Sequence, residues 1–127
     1  MRTGLIVSMV ILAIVVVLGI FSQQLIVAEG NRYESAAQEL LTLCSDGLWD
    51  ETLALARSYR DRWDGTAHWM RMLLHHDDVD DIAQSLSEIQ AGALSQSLSS
   101  SVLGCYHLAN AAQRMVAHDR INLENLL

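Results

Sequence analysis

The sequence predicts an all-α protein: an N-terminal transmembrane helix followed by a small antiparallel up-and-down helical bundle. Three observations carry this prediction. The opening stretch is apolar on every side over a bilayer's length. The remainder contains no proline and repeats its apolar residues every three or four positions, as amphipathic helices do. No alternating pattern of the kind that builds strands competes.

The first element is "GLIVSMVILAIVVVLGIF", from Gly4 to Phe21, with Ser8 as its only polar side chain. As a helix it would span about 27 Å, close to the ~30 Å hydrocarbon thickness of a bilayer. Apolar character resumes in "LIVA" and ends at Ala28. A cleaved signal peptide is the rival reading, and it wants small residues one and three positions before the cut. Ala28 follows Val27 and Ile26, and Ser22 follows Phe21 and Ile20. Neither suits cleavage, so an uncleaved anchor is expected over residues 1–29, with the bundle over 30–127. Arg2 and the terminal amine lie on one side of the apolar run. On the other side Glu29, Glu34 and Glu39 outweigh Arg32. The positive-inside tendency then places the N-terminus in the cytoplasm and the bundle outside a singly spanned cell membrane.

Four or five helical pieces follow. Tyr33, Ala37, Leu40, Leu41 and Cys44 form one stripe from about Asn31, and "SDG" at Ser45–Gly47 ends it. Only Gly30 separates this piece from the apolar run, so the two could be continuous. Trp49, Leu53, Ala56, Tyr59 and Trp63 form a second stripe. "DGT" at Asp64–Thr66 is expected to break it, with Thr66 as the next N-cap. A third piece, Ala67 to His76, places Trp69, Met72, Leu73 and His76 on one face. The fourth, about Asp78 to Ala91, turns Val79, Ile82, Ala83, Leu86 and Ile89 inward and stops at Gly92. The last, from about Ser95 to His118 with Ser95 as a candidate cap, carries a seam of Leu98, Val102, Cys105, Ala109, Ala112 and Val116. The short apolar tail "INLENLL" would cap the bundle or dock on a partner. Short connections favour antiparallel neighbours.

Charge excludes one class of partner. Fifteen acidic residues oppose eight basic ones, all arginine, for a net charge of −7. Such a chain has no basic stripe to neutralise nucleic-acid phosphates. Two cysteines, Cys44 and Cys105, cannot supply a disulfide framework or a zinc cluster. They are expected to be buried free thiols, able to pair only if their helices are neighbours in register. Trp49, Trp63 and Trp69, at helical spacing, are expected in the core. No phosphate-binding loop, nucleophile elbow or HExxH motif is present, and no cofactor is implied.

The stretch "LLHHDDVDDIAQS" (73–85) is the most suggestive. With Val79 set at zero on a helix, Asp80 lies near 100°, Asp77 near 160°, Asp81 near 200° and Asp78 near 260°. The carboxylates therefore take the outward half of the first turn, where the helix dipole favours negative charge and Asp77 or Asp78 can cap. That structural corner is the favoured reading. Its functional rival is a divalent-metal site. His76 and Asp80 have i, i+4 spacing on a continuous helix, His75 and Asp77 are adjacent, and His107 or His118 would have to arrive from the last helix. A third reading is a pH-responsive joint built on His75 and His76 among carboxylates, with His76 on the apolar face.

Taken together, "LWDETLALARSYRDRW", "HWMRMLLHHDDVDDIAQSLSEI" and the closing "INLENLL" give the chain a family likeness. It resembles an uncharacterised, domain-of-unknown-function family of small membrane-anchored helical proteins from clostridia and related Firmicutes. In that family a tryptophan opens the second helix and another closes it, matched by Trp49 and Trp63. A histidine–acidic–hydrophobic–aspartate run follows, matched by His76, Asp77, Asp78, Val79 and Asp80. Lysine and glutamate abound in the family, whereas here the last helix is rich in alanine and serine and carries Cys105. The resemblance brings no activity, and the family's recurrence in spore-forming bacteria implies a cell-envelope or sporulation-related role.

The expectation is a non-enzymatic, membrane-tethered interaction or scaffold module of the bacterial cell envelope. Its partners would be the lipid bilayer and a membrane or envelope protein. A second copy of the chain could pair through the last helix, since Gly4, Ser8 and Leu12 make no full small-residue face on the anchor. The alternative is a membrane-anchored metal- or pH-sensing domain using the residues between His75 and Asp81.

Overall fold

In the computed structural model, backbone is described for residues 1–126 and side chains through Asp119. Among the described residues there are four helices: α1 (Arg2–Ser45), α2 (Trp49–Leu73), α3 (His76–Leu94) and α4 (Leu98–Leu126). No strand occurs among the described residues.

The apolar run and the first amphipathic piece are one helix, since Gly30 does not interrupt α1. Its first half is bare, with none of an 18-residue apolar window buried. Burial begins at Ile26 and continues through Gly30, Tyr33, Ala36, Ala37, Leu40 and Cys44. Gly47 then takes a left-handed φ of 74°, and the amide of Leu48 closes onto the Leu43 carbonyl at 3.0 Å.

The expected break at Asp64–Thr66 does not occur, because α2 runs unbroken to Leu73. A mid-helix glycine costs only about 1 kcal/mol against alanine. Trp63, Ala67 and Met70 are all buried and hold both sides of Gly65 in one phase. Thr66 is not a cap, and its hydroxyl donates back to the Arg62 carbonyl at 3.1 Å. Continuity also corrects the inward face. Ala67, Met70 and Leu74 continue the stripe from Trp63, while Met72, Leu73 and His76 are exposed and Trp69 is partly so.

The turn into α3 needs only two extended residues, Leu74 and His75. Val79, Ile82, Leu86 and Ile89 fill the core as expected, with Ala83 partly buried. Gly92 does not stop the helix, which ends at Leu94. The cap of the next helix is Ser97 rather than Ser95, with its hydroxyl accepting from the Ser100 amide at 3.3 Å. Gln96 takes the left-handed conformation between them, with φ 53°.

The helices pack in a ring in which α1 meets α2 and α4, and α3 meets α2 and α4. Contacts step in opposite senses along each pair. Gly30 and Glu34 of α1 meet Val116 and Gln113 of α4, and Tyr33 meets Tyr59 and Trp63 of α2. Trp63 is the aromatic centre. Its ring lies 5.0 Å from Tyr33 at 77°, and its indole N–H donates to the Val79 carbonyl at 3.0 Å. Trp49 and Trp69 pack against the core without being fully covered.

The centre of α4 is wider than the expected seam. Ser101, Gly104, Cys105, Leu108, Ala111, Ala112 and Met115 are buried, whereas Leu98 is exposed. A helix held between two neighbours buries two adjacent stripes, not one. Glycines let α3 and α4 approach closely, Gly92 facing Ser101 and Gly104 facing Ile89. Cys44 and Cys105 are buried free thiols of the same core cluster. Burial, reinforced by Cys44, pushes the Cys105 thiol up to about 12.

The side chains of the tail "INLENLL", and with them its expected docking role, lie outside the described residues.

Candidate functional site

The α2–α3 corner and the α3–α4 seam gather four of the five histidines, His75, His76, His107 and His118, among carboxylates. The corner forms because Leu74 is buried while the residues on either side of it are exposed. Only the extended conformation at Leu74 and His75 lets the chain reverse there. His75 occupies the N-cap position of α3 with no side-chain capping bond, and neither Asp77 nor Asp78 caps.

Asp78 does something else. It is 5% exposed, the one buried carboxylate of the cluster, although its helical angle had placed it outward. The reason is α4, which covers that flank. His118 crosses from α4 and places Nδ1 2.8 Å from one Asp78 carboxylate oxygen and 3.0 Å from the other. A carboxylate only accepts, so Nδ1–H is the donor and Nε2 is left on the outer side of a half-exposed ring. The His75 ring stands edge-on to His118 with centroids 6.5 Å apart.

Two more pairs continue the seam. Asp81 meets Arg114 at 3.5 Å and Glu88 meets His107 at 2.7 Å. An acidic edge of α3 thus faces a basic edge of α4 for most of its length. Beside His118, an Asp119 carboxylate oxygen is buried without a partner, and burial pushes that carboxyl above the ordinary carboxylate value.

His76 and Asp80 share a face of α3 at i, i+4 spacing, both exposed. Asp80 is paired to Arg71 across the corner at 3.1 Å. Asp77 is exposed, and His76 lies on the outside instead of the apolar face. Among the described residues no three His, Cys, Asp or Glu side chains converge as metal ligands would. The structure therefore joins Asp78 and His118, with His75 nearby, rather than His76 with Asp80. The sequence carried a faint signal for this. Ala111, Met115 and His118 recur at helical spacing, which puts His118 at the end of the α4 core stripe.

Fold and site together define a class: an all-α, four-helix protein with a long apolar leading helix and, at one corner, a buried aspartate clasped by a half-exposed histidine. The chain belongs to the family described as a domain of unknown function (DUF4363), whose pattern matches residues 20–126. No curated protein and no solved structure matches the chain.

Proposed function

We propose that this protein is a non-enzymatic interaction or scaffold module, tethered by residues 1–29 in the bacterial cell membrane, with an antiparallel up-and-down bundle held outside the cell. The observation that carries the reading is the unbroken α1. Its apolar half touches nothing else in the fold, and its second half is a full member of the core. A helix apolar on all faces over about 27 Å needs a lipid environment to hide in. The end of the bundle away from that segment exposes Leu48, Leu94 and Leu98, which suits a protein partner. The resemblance to small membrane-anchored proteins of clostridia and related Firmicutes supports the bacterial setting, and Arg2 ahead of the span supports the orientation.

Alkaline carbonate extraction tests the tether, and protease added to intact cells tests the orientation. The protein is expected in the membrane pellet, with its bundle digested. Crosslinking in cells, repeated with Leu94→Asp and Leu98→Asp, tests partner capture. Loss of the crosslinked species in those variants is the expected outcome.

A second reading, a metal- or pH-sensing corner, draws support from the Asp78–His118 pair. A carboxylate behind one ring nitrogen orients the other outward, as the outer shell of many metal ligands does. Calorimetry on the detergent-solubilised protein with zinc, manganese or calcium tests it. Micromolar binding abolished by His118→Ala or His76→Ala would favour the sensor over the scaffold.

A further inference from the structure

We propose that the α2–α3 corner is itself a bilayer contact, with Met72 and Leu73 in the interfacial layer of a phospholipid membrane and His75 and His76 among the headgroups. The inference rests on the reading of α1 as the membrane span. It adds that the bundle sits down on the lipid surface instead of standing clear of it.

Two registers fix the height of the corner. The first runs along α2. Trp63 is level with Tyr33, and ten residues of helix carry the chain about 15 Å further to Leu73, level with about Gln23. The second runs along α4. Val116 sits at the Gly30 notch, so His118 is level with about Ala28. His118 holds Asp78, and the corner lies a further ~3–5 Å toward the apolar segment. The two routes put the corner level with residues between Gln23 and Ile26, roughly 3–8 Å beyond Phe21. The interfacial layer on each side of the hydrocarbon is about 5–8 Å thick. Because α1 is continuous, no hinge lets the bundle lift away from this height.

The side chains at that height suit the location. Met72 is 77% exposed and Leu73 is 40% exposed, although both are large and apolar. Trp69, partly exposed, lies one turn earlier on α2, and tryptophan favours the membrane interface. The acidic residues do not prevent approach to lipid phosphates. Asp78, Asp80 and Asp81 are each paired with His118, Arg71 or Arg114, which leaves Asp77 beside two exposed histidines. The opposite end exposes leucines too, but it lies some twenty residues of helix further from Phe21, about 30 Å away.

The test uses the full chain in nanodiscs of phosphatidylcholine and phosphatidylglycerol, with nitroxide labels on Val17→Cys, Met72→Cys and Leu94→Cys. All three positions are exposed, so the substitutions spare the core, and the buried native thiols leave the label on the introduced cysteine. Accessibility to oxygen reports lipid, and accessibility to a nickel chelate reports water. Labels at 17 and 72 are expected to favour oxygen, with nickel accessibility at 72 several-fold below that at 94. Oxygen at 17 with equal nickel exposure at 72 and 94 would overturn the seating and leave the anchor standing. Lipid at both 72 and 94 would also overturn it, since the bundle would then lie on its side. Nickel exposure at 17 would remove the anchor, and the seating with it.

Discussion

A carboxylate shielded from water needs a partner, and for Asp78 that partner is His118. Truncating His118 leaves the carboxylate buried and unsatisfied, so His118→Ala should lower unfolding stability by about 1–3 kcal/mol. Asp78→Ala with His118→Ala should cost less than the two single changes combined, because the second truncation no longer strands a charge. Chemical denaturation in micelles reads both. The spacing within α3 put Asp78 on the outward half with the other carboxylates, and the structure buries it. Which flank of α3 is covered depends on where α4 lies, and spacing within one helix carries no such information. Cys105 makes a second prediction at this scale. Its thiol is pushed up to about 12 by burial, whereas an unfolded thiol titrates near 8.5. The folded state favours the neutral thiol, so its contribution is complete below about pH 8.5 and is lost as pH rises toward 12. Burial raises Tyr33 and Tyr59 in the same direction. Melting temperature should hold steady from neutral pH to about 8.5 and fall beyond it. Cys105 should resist alkylation at pH 8 until denaturant is added.

Among the helices, two glycines separate propensity from packing. Gly65 in α2 has open space where a Cβ would go, and Gly104 in α4 has the Ile89 side chain 2.8 Å from that point. Alanine is the better helix former by about 1 kcal/mol. Gly65→Ala should therefore stabilise the protein by about 0.5–1 kcal/mol. Gly104→Ala should destabilise it by about 1–3 kcal/mol, because the added methyl pushes α3 from α4. Thermal melts of the two variants should move in opposite directions. The same contrast explains what was legible in the sequence. Tyr33, Ala37, Leu40 and Cys44, and likewise Val79, Ile82, Leu86 and Ile89, stand where their periodicity put them. Asp64–Thr66 looked like a break because turn chemistry is local. Burial on both sides of Gly65 is tertiary, and it wins. For α4 the stripe was shifted because serine, glycine and alanine carry little hydrophobic signal yet form the closest contacts.

Across the whole molecule, α1 is bare along its apolar stretch and packed beyond it, and the changeover falls within a few residues. Ile20 is 52% exposed in the fold, while Ile26 is 1% exposed and belongs to the core cluster. Both are isoleucines on one continuous helix, and sequence spacing alone does not distinguish them. What differs is the surroundings, since Ile26 lies within the stretch that the bundle packs against. Deleting buried isoleucine atoms loses transfer energy and leaves a cavity. Ile26→Ala should therefore cost about 2–4 kcal/mol against unfolding of the bundle. Ile20→Ala should leave bundle stability within about 0.5 kcal/mol, since it removes only contacts outside the packed fold. Denaturation of the full chain in micelles, followed by tryptophan fluorescence, separates the two, because Trp63 lies in the same core cluster as Ile26. Equal effects at both positions would mean that the helix is not divided between lipid and core. If only Ile26→Ala acts, the apolar segment and the bundle meet between residues 20 and 26.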